Sequence, residues 1–164
     1  MPKTIERPTM AWINSSEIPS PIVYKSYVES AGFDLQEFHD AASALEKLSS
    51  VRYPVIFTEI DLDIGSTDNP DVLNVINKFD RKYSSTIILP MLSYLRQPSN
   101  PNHDSSIFVG GVYRPFNDPL FLNLTTRVKL AGASDYIYFL DASAKEFGER
   151  VKNLADNLLS KRAS

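Results

Sequence analysis

With 164 residues, 43% of them apolar and 23% charged, the chain has material for one folded domain with a full core, and too little for two comfortable ones. A net charge of −3 leaves no basic footprint in the total for nucleic acid or anionic membrane. The absence of cysteine removes disulfides, zinc fingers and thiol nucleophiles together and fits a reducing, cytoplasmic setting. Residues 1–8 read as an N-terminal arm without a signal-peptide core, and no run approaches the ~20 apolar residues of a membrane span.

Thr9 to Asn14 is a short apolar run that suits a first strand, followed by a loop through Ser15, Ser16 and Glu17. Pro19 and Pro21 open a helix in which Val23, Tyr24, Tyr27, Val28 and Ala31 recur at helical spacing before Gly32 stops it. Asp34 to Phe38 is a second strand, and Asp40 an N-cap for a helix with Ala41, Ala44, Leu45 and Leu48 on one face. Pro54 to Ile60 is continuously apolar, as in a strand buried on both faces of a parallel sheet. Asn69-Pro70 starts a helix with Val72, Leu73, Ile76 and Phe79 inward, and Thr86 to Leu92 is expected as a fourth strand. This alternation predicts an α/β fold, a doubly wound parallel sheet.

The rhythm then breaks. Ser93 to Ser106, rich in Pro, Asn, Ser and Asp, reads as a long loop, and Ile107 to Tyr113 as an extra strand with a glycine bulge or bend. Residues 93–117 thus form an expected insertion between strand four and the penultimate helix. That helix is capped by Asn117 or Asp118, with Pro119 first and Phe121, Leu124 and Val128 on its buried face. Tyr136 to Leu140 is a last strand. A capping box, Ser143 to Glu146, opens a final helix striped by Phe147, Val151, Leu154, Ala155 and Leu158. Residues 160–164 are expected to be a tail, and 1–164 a single domain.

The densest chemistry follows the third strand. On an extended chain Glu59, Asp61 and Asp63 point to one side, at the C-terminal end of a parallel strand, where open α/β sheets bind ligands. They suit either a metal or phosphoryl site or a solvated loop with helix-capping acids. His39 and His103 have no partner at ligand spacing. No glycine-rich phosphate loop, Ser-His-Asp order or His-rich metal signature is present. Composition and motifs imply no cofactor.

Two stretches resemble the response-regulator receiver family, the CheY-like fold. Ala31 to Leu48 is similar to the family's end of helix one, strand two and helix two, with an aromatic after the glycine and Ala-Leu near the helix centre. Ala131-Gly-Ala-Ser-Asp-Tyr-Ile resembles the Gly-Ala-Asp-Asp-Tyr-Leu segment that precedes the family's Lys-Pro pair. The resemblance implies a five-stranded flavodoxin-like sheet and covers most of the chain apart from 93–117. Such receivers use acids after strand one to hold Mg²⁺, a phosphoacceptor Asp ending strand three, a hydroxyl residue ending strand four and a Lys ending strand five. Against that pattern, Asn14, Ser15 and Ser16 replace the strand-one acids, with only Glu17 nearby, and Glu59 aligns with the phosphoacceptor. Met91, or Pro90 in a slipped register, replaces the hydroxyl residue, and Phe139-Leu140 the Lys-Pro pair. Tyr113-Arg114-Pro115-Phe116 is an alternative Lys-Pro-like signature that would make 107–116 the fifth strand.

The resemblance therefore implies a degenerate receiver, not an enzyme, that binds a protein partner of a signalling pathway without phosphorylation; a homodimer stays open. Arg114, Tyr136 and Tyr138 are its candidate partner surface, and excising 96–105 is expected to spare folding while weakening that contact. The alternative is an atypical phospho-accepting receiver of a two-component system using Asp61 or Glu59 with Glu17. A third reading is a small flavodoxin-like enzyme or ligand-binding protein using the same sheet edge.

Overall fold

The computed structural model describes residues 7–14, 22–59, 64–77, 88–111, 126–138 and 144–163. Five strands, β1 (Thr9–Ile13), β2 (Asp34–Phe38), β3 (Val55–Glu59), β4 (Ser106–Gly111) and β5 (Asp135–Tyr138), form one sheet in the order β2-β1-β3-β4-β5. Every pairing is parallel. Between them run α1 (Ile22–Ser30), α2 (Ala41–Leu48), α3 (Pro70–Ile76), α4 (Ile88–Leu95) and a helix described over 126–130, here α5, and α6 (Ala144–Ala163) closes the chain. This is the expected α/β architecture.

Local signals explain most boundaries. Asp40 caps α2 by accepting from the Ser43 N–H at 2.7 Å, and Asn69 caps α3 by accepting from the Asp71 N–H with Pro70 at the first helical position. Gly32 follows α1 with φ +108°, a left-handed stop that a side chain resists. All five residues of β3 are buried, because helices cover both sheet faces. On one face α1 and α6 enclose Met10, Trp12, Val28, Val55, Phe57, Phe108, Phe147 and Val151. Here Trp12 lies 4.2 Å from Phe57 and meets Phe147 edge-on at 5.9 Å, ring centre to ring centre. On the other, α2, α3, α4 and Val128 of α5 cover Ala11, Ile13, Ile56, Ile107 and Val109.

The structure corrects the chain between 86 and 113. The expected fourth strand, Thr86 to Leu92, is instead largely α4, with Ile88, Met91, Leu92 and Leu95 buried at i, i+3, i+4 and i+7. A short apolar run carries both periods at once. The described part of the run expected as an extra strand from Ile107 to Tyr113, Ile107 to Gly111, belongs to β4 itself, hydrogen-bonded to β3 on one side and β5 on the other. The expected long loop from Ser93 begins as helix through Leu95 and ends where β4 starts at Ser106. Leu73 of α3 faces outward at 38% exposure, its inward place taken by Val75, and Tyr27 of α1 is also exposed. Pro19, Pro21, Phe79, the Asn117–Leu124 cap and stripe, and Ser143 lie outside the described residues.

Residues 96–105 are part of the fold rather than a removable loop. Arg96 donates through Nε to the Gly132 C=O at 2.8 Å and through Nη1 to the His103 C=O at 2.6 Å. Burial lowers its pKa from the ordinary arginine value, and Asp104 pulls the other way. Gly132 has φ +114°, and a Cβ there would lie 2.6 Å from Arg96 Cγ. Gly132→Ala is therefore expected to cost about 1–3 kcal/mol, read as a lower urea midpoint; an unchanged midpoint would refute the close approach.

Candidate functional site

The strand register sets the site at the C-terminal edge of the sheet. Ile13 pairs with Thr58 and Glu59 with Gly110, so Asn14, one residue past β1, Glu59 and Gly110 stand side by side. Trp12 pairs with Phe57 one pleat below, and alternation puts Trp12, Phe57 and Glu59 on the α1–α6 face. Glu59 is 2% exposed and Asn14 3%. The Asn14 N–H donates to the Phe38 C=O at 2.9 Å, tying the end of β1 to β2. The Thr58 hydroxyl turns back to the Glu59 C=O at 3.3 Å.

The sequence-derived site residues separate accordingly. Glu59 and Asn14 meet at the sheet edge. Met91 does not end a strand: it is fully buried on the inner face of α4. The residue beside Glu59 on strand four is Gly110, which a strand assigned to 106–111 would have revealed; the Ile-Phe-Val run bounded by serine and glycine was that signal. Ser15, Ser16, Glu17, Asp61, Asp63, Arg114 and Phe139 lie outside the described residues. The fifth strand is Asp135–Tyr138 and 107–111 belongs to the fourth, so Arg114-Pro115 does not follow strand five. Tyr136 is half-buried and packs on the α2–α4 core, and Tyr138 closes β5. His39 is exposed, 3.8 Å from Glu37, whose other carboxylate oxygen binds Lys25.

Mg²⁺ takes an octahedron of oxygen ligands, usually one or two carboxylates completed by waters and phosphate oxygens. The described part of the edge supplies one carboxylate, one carboxamide and a glycine, and no group of three or more potential metal ligands occurs among the described residues. Among the described residues, the one carboxylate at the edge is 2% exposed, which leaves little room for the waters that complete a Mg²⁺ shell.

No protein-family model matches the chain, and no curated protein is significantly similar to it. Solved structures are. A signal receiver domain from Vibrio parahaemolyticus superposes with a TM-score of 0.66 at 14% identity, covering 96% of this chain and 97% of that one. The chemotaxis response regulator CheY4 of Vibrio cholerae gives 0.61 at 12% identity, with 91% and 99% covered. The chain has the response-regulator receiver fold. A response regulator from Thermotoga maritima, at 0.61 and 18% identity over 92% and 99%, shares it. In the receiver fold seen here no described helix is long and apolar enough to cross a membrane.

Proposed function

We propose that this chain is a degenerate receiver, a regulatory module that works in the cytoplasm through protein–protein contact and without a phosphoryl cycle of its own. The observation that carries the reading is the buried Glu59 set between Asn14 and Gly110. Phosphoryl transfer to a carboxylate needs an accessible acceptor oxygen and positive charge to neutralise the incoming group. Among the described residues Glu59 is 2% exposed and its strand neighbours, Asn14 and Gly110, carry no positive charge. The partner is a protein of a signalling pathway, recognised around β5 with Tyr136 and Tyr138, and Arg114 is a further candidate for that contact. Neither nucleic acid nor a cofactor enters the reading.

The lone tryptophan tests it. Trp12 lies on the same face as Glu59, one pleat below it, so its emission should report filling of the site. Titration with Mg²⁺ and beryllofluoride, a phosphoryl stand-in on carboxylates, is expected to leave the emission of the folded protein flat. A saturable change requiring both would overturn the proposal in favour of an atypical phosphoacceptor; Asp61→Asn and Glu59→Gln would then tell which acid accepts.

A further inference from the structure

We propose that residues 64–69 form a strap that completes the N-terminal cap of α2, so that the strap and the first turn of α2 open and close as one unit. The inference is independent of any phosphoryl chemistry. The first N–H groups of a helix lack partners within it, and at α2 two sources meet them. Asp40 takes the Ser43 N–H at 2.7 Å, and the Ile64 C=O, from the far side of β3, takes the Ala42 N–H at 2.9 Å.

The next residue makes the two caps interdependent. Gly65 holds φ +74° with its Cα against the Asp40 carboxylate, so that a Cβ would collide with the oxygen that caps Ser43. Farther along, the Thr67 hydroxyl bonds the Glu46 carboxylate one turn into α2. Its Oγ1 also accepts from the Asn69 N–H at 3.1 Å, and Asn69 in turn caps α3. One short segment thus joins the N-terminal caps of two helices. In sequence it follows directly on the acidic stretch after β3.

Coupling of this kind is reciprocal, and hydrogen exchange on the full-length protein reads it at amides that the substituted side chain does not touch. Thr67→Val is expected to speed exchange at Ala42 and Ser43, and Asp40→Ala at Asn69, each by about three- to tenfold, the scale of one net hydrogen bond. The Phe57 amide in β3 should keep its rate. Unchanged Ala42 and Ser43 rates in Thr67→Val would overturn the proposal. So would a uniform rise that includes Phe57, the mark of global opening. If Thr67→Val does not fold, Glu46→Gln weakens the same anchor at constant size and carries the same expectations.

Discussion

Asn102→Ala is expected to destabilise the protein by about 3–5 kcal/mol, a large part of the ~5–15 kcal/mol that holds a domain folded. Asn102 is fully buried. Its Oδ1 accepts from the Tyr53 N–H at 2.6 Å, and its Nδ2 donates to the Leu48 C=O at 2.6 Å and the Val51 C=O at 2.9 Å. Alanine would leave three backbone groups without this partner where water has poor access, each costing about 1–3 kcal/mol. The side chain thereby staples the turn between α2 and β3 to the turn before β4, and Ser105 adds a hydroxyl bond to the Tyr53 C=O. Urea unfolding should show a lower midpoint at unchanged slope. A midpoint within the error of the parent would sink the staple. By the same logic, excising 96–105 is expected to abolish folding, because it removes Arg96, Asn102 and Ser105 together.

Asn14→Asp is expected to be the second large effect and to make stability depend on Mg²⁺. It sets a second carboxylate on the strand next to Glu59, about 5 Å away. Two negative charges at that separation repel by about 3 kcal/mol at an effective dielectric of ~20. The pair holds a proton more tightly in the folded state than in the unfolded chain. The variant should therefore match the parent below the unfolded carboxylate range, near pH ~4, and lose stability as pH rises above it. Added Mg²⁺ should restore part of the loss by binding only the folded pair. A thermal melt of Asn14→Asp indistinguishable from the parent at pH 7, without divalent cations, would show that the two side chains do not face one another.

Much of this architecture is readable along the chain. Asp40 before Ala41-Ala42, Asn69 before Pro70 and Gly32 after α1 each carry a local cause that the tertiary fold leaves unchanged. The continuous apolar run ending at Glu59 announces both the central strand and the edge at which the site sits. Between 86 and 113 the periodicity is ambiguous: Ile-Ile-Leu-Pro-Met-Leu satisfies a buried strand and a buried helix face equally, and only packing decides. Misplacing strand four moved the neighbour of Glu59 from Gly110 to Met91. Asn102 escaped for a different reason. A polar residue in a Pro- and Asn-rich loop reads as solvated, and nothing local reveals that it lies beneath a turn about fifty residues away in sequence.

The strand order also bears on how the chain finds this arrangement. The central strand, β3, is bonded on one side to β1 and on the other to β4, partners that lie far before and far after it in sequence. Both pairings require long closures before any ladder forms, which favours slow folding and leaves β3, apolar from Val55 to Phe57, with open edges in the meantime. The contacts of Asn102 with Tyr53 and Leu48 span the same closure that brings β4 to β3. In kinetic terms that residue is expected to act after collapse, locking the last central strand in register and shortening the time during which an aggregation-prone edge is exposed.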